Sequence, residues 1–266
     1  MNHLLRSHAP ISELAWEQID DEARERLAPA LGARKLVDFS GPLGWQHSAT
    51  NVGRVAPVKK SPVQGVTALS RQVLPLLELR ADFTVSRAEL MNIDRGALDA
   101  DFESLDGAAR QIAMAENTAV MHGWVDLITG IFEQAPFAER ALGVKPLTFP
   151  QTITAAVGDL RSSGVAGPYG LALDPDHYRL AVETAESGGT LLMEHLGEIL
   201  GGPIVWTPGL KGGVVISQRG GDFLLESGQD LSVGYDSHDA DLVHLYIQES
   251  FSFRVATPEA AVALTP

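Results

Sequence analysis

Apolar positions along this chain follow two rhythms. From residue 12 to 31, Trp16, Ile19, Ala23, Leu27 and Leu31 recur at spacings of three and four, which stacks them on one face of a helix. Ser12 stands where its side chain can accept from the free amides of the first turn, and Pro29 marks the end. A second helical stretch, 106–122, is apolar on nearly all sides. After Asp106 only Arg110 and Glu116 carry full charge, so a buried spine is predicted rather than a surface helix. Shorter helices are predicted near 152–162, 175–186 and 190–200, and DFTVSRAEL at 82–90 runs from strand into helix with Ser86 as cap. The other rhythm is strand-like: RKLVDF at 34–39, YGLALD at 169–174, residues 203–207 and 213–217, then FLLES, DLSVGY and LVHLYIQESFSFRVA. This mixture predicts an α+β chain, one large domain or two intimate ones.

Residues 51–80 keep neither rhythm. Valines recur, Pro and Gly punctuate, and the stretch reads as a long extended hairpin or arm. Its charge is unusual. Arg54, Lys59, Lys60, Arg71 and Arg80 stand against Glu78 alone, so the arm is +4 within a chain whose formal charge is −14. Two readings of that bias stand side by side. A basic arm reaches across a neighbouring copy of the same acidic protein, or a solvated hairpin carries a chance excess.

Composition narrows the function classes. A charge of −14 argues against a general nucleic-acid binder, which needs a basic footprint. With no cysteine there are no disulfides, thiol nucleophiles or thiolate metal ligands, which fits a reducing cytoplasm. The opening MNHLLRSHAPISELAWEQ does not read as a signal peptide, and no stretch approaches the roughly 18 apolar residues of a membrane helix.

Candidate chemistry is sparse. In DSHDADLVH, His238 and His244 flank Asp239 and Asp241, but the spacing matches no regular metal set and the acids favour a polar turn entering a strand. RGGDF and SGQD read as hairpin turns. Glu194, His195 and Glu198 in MEHLGE share a helix, without the second histidine of a zinc protease. Trp16, Trp45, Trp124 and Trp206 are scattered and read as packing residues, and His122 ends the spine helix where a cation favours the helix dipole. No nucleophile–base pattern, dinucleotide fingerprint or phosphate loop is present.

Five stretches together carry a resemblance that spans the chain: HAPISELAW, ARKLVDFSGPLGW, PLLELRADFTVSRAELMNIDRG, VAGPYGLAL, and the long RGGDFLLESGQDLSVGYDSHDADLVHLYIQESFSFRVATPEA. The chain resembles the encapsulin shell proteins, also called the linocin-type bacteriocin family. The resemblance implies the fold of the tailed-phage major capsid protein, the Hong Kong ninety-seven type. Residues 1–49 would join a P-domain, 50–75 form an E-loop, 76–135 continue the P-domain with the spine, 136–216 form an A-domain, and 217–266 supply the last P-domain strands.

The function implied is assembly, not catalysis. Copies would close into an icosahedral shell, the smallest type having sixty subunits, in the bacterial cytoplasm. The shell would enclose a dye-decolourising peroxidase or a ferritin-like iron oxidase, which ties it to oxidative stress or iron storage. A C-terminal peptide of that cargo would dock on Leu27, Leu31, Arg34, Leu36, Asp38 and Ile247, with Arg34 and Asp38 fixing its direction. Glu183, Glu186, Ser187, Gly188 and Gly189 would ring a five-fold pore, and Arg54, Lys59, Lys60 and Arg71 would serve the inter-subunit arm. Some relatives hold a flavin on a tryptophan where this sequence has Ala88, so no cofactor is expected, and no metal, nucleic acid or membrane. Two alternatives remain: a phage capsid protein, which would carry a pro-segment that this acidic sequence does not open with, and a bacteriocin or protease, as the older family label suggests.

Overall fold

The computed structural model describes residues 3–59, 63–185, 189 and 191–266. Helix α1 (Glu13–Ala30) forms where the spacing predicts it. Ser12 Oγ accepts from Ala15 N at 3.1 Å and closes its first turn. Trp16, Ile19, Ala23 and Leu27 are buried, and Pro29 lies in the last turn. The strand predicted at 34–39 does not form. Ala33–Lys35 make a single 3-10 turn, and only Asp38–Ser40 become a strand, β1. Local backbone bonds supply the reason: Lys35 N donates to Gly32 O at 3.2 Å, and Leu36 N and Val37 N donate to Ala33 O at 2.9 and 3.2 Å, so these amides turn back instead of entering a strand ladder. Asn117 braces the residues just before them: its side-chain oxygen accepts from Ala33 N at 2.9 Å, and its amide donates to Ala30 O and Pro208 O, each at 2.8 Å.

The arm is a two-stranded ribbon. β2 (Ala49–Pro57) pairs antiparallel with β3 (Leu69–Pro75), and among the described residues neither joins a larger sheet. β4 (Leu77–Ser86) alternates buried and exposed, then passes into α2 (Arg87–Asp94), where Ser86 Oγ accepts from Ala88 N and Glu89 N. The spine, α3 (Glu103–His122), begins about a turn before Asp106, with Asp101 Oδ1 accepting from Glu103 N at 3.0 Å. It buries Leu105, Ala109, Ile112, Ala113 and Met121 and packs on α1 and β4.

A short helical turn, α4 (Ile131–Gln134), precedes β5 (Arg140–Ala141) and α5 (Phe149–Ser162), which starts before the predicted 152. Then come β6 (Tyr169–Leu173), α6 (Pro175–Glu183), α7 (Leu192–Leu200), β7 (Gly201–Trp206) and β8 (Gly213–Ser217). α6 stops at Glu183, short of the predicted 186, because Thr184 is already extended. The chain closes with β9 (Phe223–Ser227), β10 (Ser232–His238), β11 (Leu242–Val255) and β12 (Ala261–Thr265).

Two sheets organise these strands. In the first, the long β11 pairs antiparallel with β10, β4 and β9, and β1 joins β9 in parallel. The second has the order β5-β12-β8-β6-β7. β12 has no counterpart in the sequence reading, and it lies in this second sheet rather than with the other strands of 217–266. RGGDF is therefore not a hairpin turn. It carries the chain from one sheet to the other, with Gly220 and Gly221 at φ of 86° and 83°. SGQD is not one either, since β9 and β10 pair with β11 and not with each other. Gly228 is needed there for close approach: a Cβ would sit 2.6 Å from Leu76 Cδ2 and 2.8 Å from Ser250 Oγ. DSHDADLVH is the true hairpin, joining β10 to β11. Asp239 Oδ1 accepts from Asp241 N and Leu242 N, each at 2.8 Å.

Candidate functional site

A groove of about 450 Å³ opens where the N-terminal segment, α1, the 3-10 turn and the β10–β11 pair meet. Its apolar lining includes Leu4, Leu27, Leu31, Leu231, Val233 and Ile247. Leu27 is buried because it continues the α1 core stripe, while Leu31, one residue past the helix, stays half-buried at the wall. Ile247 is fully buried on β11 and forms the floor. The N-terminal segment is held by Tyr235 N, which donates to Leu4 O at 2.9 Å. Arg6 bonds both carboxylate oxygens of Asp20, at 3.0 and 2.7 Å, and stacks on Trp16 at 4.0 Å.

Arg34 is the groove's central charge. Its Nε donates to Glu116 Oε2 at 2.6 Å, Nη1 to Asp230 Oδ1 at 2.6 Å, and Nη2 to Glu249 Oε2 at 2.8 Å. The Phe39 ring lies 4.8 Å from the guanidinium carbon. Glu116 is 0% exposed and Glu249 1%, whereas Asp230 keeps an open side at the rim. Burial acts to lower the Arg34 pKa, but Glu116, Glu249 and Asp230 outweigh it and hold it above the ordinary arginine value. Burial first, and the neighbouring Glu116 next, push Glu249 well above the usual carboxyl range, with Arg34 pulling it back.

Four of the six docking candidates, Leu27, Leu31, Arg34 and Ile247, therefore come together. Leu36 and Asp38 do not. They line a separate cleft of about 100 Å³ with Lys35, Gln218 and Gly220. Leu36 is core, packed on the backbone of Gly170, and Asp38 Oδ2 accepts from Gly221 N at 2.6 Å. No Arg34–Asp38 pair forms, because the 3-10 turn replaces the strand that would have aligned them. The sequence reading missed Glu116, Glu249 and Asp230 as partners of Arg34, and Leu4, Leu231 and Val233 as groove walls. The signal for Glu116 was available: it is the single acid past the first turn of a helix otherwise suited to burial.

The arm presents a second surface. On one ribbon face Val55, Leu69 and Val73 surround Arg71, and these three apolar residues are each about half exposed. Arg54 and Lys59 are exposed as well, with Arg54 opposite Gln72 on the other face. Lys60 lies outside the described residues. Among the described residues the ribbon is pinned at its root: His47 Nε2 meets Glu226 Oε1 at 2.9 Å, and Thr50 Oγ1 bonds both Glu226 and Ser252. Of the pore-loop candidates, Glu183 ends α6 and pairs with Arg179 at 3.4 Å. Gly189 takes φ of 84° and an Ala185–Leu191 bridge closes the loop, while Glu186, Ser187 and Gly188 lie outside the described residues.

The histidines are engaged locally. Tyr235 Oη lies 2.6 Å from His238 Nδ1, and His244 Nε2 lies 3.3 Å from Asp239 Oδ2. His122 accepts from Lys211 N at 3.1 Å; burial and the Lys211 charge lower its pKa, so it serves as a neutral acceptor and not as a cation for the spine dipole. Trp45 stacks on His3 at 4.1 Å. Among the described residues no group of three His, Asp or Glu is placed to hold a metal ion, and no helix is long and apolar enough to cross a membrane. Ala88 is an exposed residue in the first turn of α2.

A spine helix beside a mainly antiparallel sheet, a second mixed sheet and a separate two-stranded ribbon define a capsid-type fold. The fold is shared with the virus-like particle from Pyrococcus furiosus, at a TM-score of 0.66 and 19% identity over 93% of this chain and 98% of that one. It is shared too with the capsid of a native GTA particle, at 0.52 and 16% over 88% and 89%. The family profile described as "Encapsulating protein for peroxidase" matches residues 1–252, and the chain belongs to that family. The type 1 encapsulin shell protein of Rhodospirillum rubrum is 47% identical, covering 99% of this chain and 96% of its own. That of Mycolicibacterium paratuberculosis is 41% identical over all of both chains. The α+β, capsid-like expectation holds, and the family's role is structural rather than catalytic.

Proposed function

We propose that this chain is the subunit of a closed icosahedral nanocompartment of the smallest, sixty-copy type, working in the bacterial cytoplasm. Capsid-like shell relatives imply a multi-subunit homo-oligomer. The observation that carries the reading furthest is the ribbon β2–β3. An isolated two-stranded hairpin is marginal in water, yet this one projects with Val55, Leu69 and Val73 half exposed around Arg71. A neighbouring copy that covers this face gives the strands the burial they lack in one chain. Stable association needs well over about 1,000 Å² of buried surface, which an arm of this length helps to supply.

The cargo is an enzyme, a dye-decolourising peroxidase or a ferritin-like iron oxidase, and the groove between α1 and β10–β11 receives its C-terminal peptide. The apolar lining and the fixed Arg34 and Asp230 charges suit a short peptide with apolar side chains held in one direction. The family description, which mentions a peroxidase, favours the first cargo. The loop after Glu183 rims a five-fold pore, and no flavin is bound beside Ala88. Light scattering after size exclusion, with negative-stain imaging, tests the assembly. A uniform hollow particle of many subunits is expected; a monomer or small oligomer across salt and pH overturns the reading.

A further inference from the structure

Beneath the groove, three carboxylates converge on one guanidinium. Glu116 comes from α3, Glu249 from β11 and Asp230 from the loop before β10, and all three bond Arg34. The third carboxylate leaves an imbalance. Glu116 Oε1 and Glu249 Oε1 are buried oxygens without a hydrogen-bond partner, on side chains that are 0% and 1% exposed. Arg34 has already committed its Nε, Nη1 and Nη2 to the other oxygens. Both carboxyls reach the same guanidinium nitrogen, since Arg34 Nη2 lies 2.6 Å from Glu116 Oε2 and 2.8 Å from Glu249 Oε2. Two ionised carboxylates side by side out of water repel, and their free oxygens have no donor. One proton between them satisfies both at once, as a carboxyl O–H donating to a carboxylate.

We propose that Glu249 carries a proton donated to Glu116 beneath the groove, and that loss of this proton loosens the groove wall formed by Arg34 and Asp230. The charged groups facing Glu249 are Glu116, Arg34 and Asp230. On β4, the cross-strand partner of Glu249 is Leu79, and Lys35 is turned away toward Pro29 O at 3.2 Å. With the proton in place, the buried pair carries one negative charge and Arg34 divides its attraction between that pair and Asp230. When the proton leaves, the pair carries two. Arg34 is drawn inward, Asp230 is released toward solvent, and α3 and β11 repel where they support α1. Burial and the neighbouring carboxylate place the release above the ordinary carboxyl range, so this proton outlasts those of exposed carboxyls, and the groove is ordered below the release and loosens as pH rises through it. As a regulation of docking this rests on the peptide reading above; as a property of the cluster it does not.

The test uses assembled particles titrated upward from mild acid, with light scattering confirming that they stay assembled. Wild type should keep the infrared carbonyl band of a protonated carboxyl above the range where exposed carboxyls ionise and lose it as pH rises further, and Glu249→Gln should lack it. Hydrogen exchange of amides 27–34 and 230–233, corrected for intrinsic rates, should rise about tenfold in wild type as the band disappears and stay flat in Glu249→Gln. Absence of the band in wild type, its survival in the variant, or an equal rise in exchange in both proteins overturns the proposal. If Glu249→Gln does not fold, Glu116→Gln replaces the same proton from the other side and is read by the same criteria. Neither measurement needs a cargo peptide, so a groove that binds none would sink the docking reading and leave this one to be judged separately.

Discussion

At the scale of single residues, Arg34 matters most because of what it leaves behind when removed. Arg34→Ala strands two buried carboxyls, and breaking such a pair costs about 3–5 kcal/mol. The penalty should depend on pH. Glu249 is raised by burial and by Glu116, and Arg34 is what pulls it down. A carboxyl whose folded pKa is raised stabilises fully at low pH, and that stabilisation is lost as pH rises through the folded pKa. Without Arg34 the shift grows in the same direction. Thermal midpoints of particles at fixed protein concentration should therefore show a large Arg34→Ala deficit at and above neutral pH and a smaller one in mild acid. A deficit that grows in acid would refute the coupling. Arg34, Leu27 and Leu31 were named as docking candidates by the family resemblance alone, and the fold gathers them around one groove. The carboxylates around Arg34 were not, since Glu116 and Glu249 stand 82 and 215 positions away in sequence. Only the fold brings them together.

At the scale of elements, local periodicity was readable and partnership was not. α1 and α3 follow from three–four spacings that act within one helix. The strand expected at 34–39 starts only at Asp38, because the amides of Leu36 and Val37 turn back to Ala33 O, beside backbone that Asn117 ties down from far along the chain. β12 escaped notice because AVALT is too short to declare itself without β8 and β5 on either side. The arm was legible because it lacks a helical period and concentrates cations. Its electrostatics give a test at this scale. Replacing Arg54 and Arg71 together with Glu cancels the arm's charge of +4 and sets two carboxylates on its strands against an acidic body, and salt screens such repulsion. Assembly should fall markedly at low ionic strength and recover toward wild type at high ionic strength, followed by the particle fraction in light scattering. Assembly that ignores the reversal at low salt would mean the ribbon holds by strand pairing and apolar burial alone.

At the scale of the whole molecule, the question is whether groove and shell are separable. The arm and the groove lie on different elements: the ribbon is rooted at His47 and Thr50, while the groove is walled by α1, the N-terminal segment and β10. A change confined to the groove wall should therefore leave the particle intact and alter only what it carries. Leu31 is the position for that change. It is half-buried and lies past the end of α1, whereas Leu27 and Ile247 are buried in the core and would disturb folding as well. An Asp at position 31 places a charge where an apolar anchor would seat, and loss of one such anchor costs about 2 kcal/mol or more. Leu31→Asp particles should keep the wild-type mass and diameter, while the cargo that copurifies with them falls by about tenfold or more. Full particles at wild-type loading would show that the docking surface lies elsewhere. Loss of the particles themselves would show that the wall of the groove also holds subunits together, and that groove and shell are one interface.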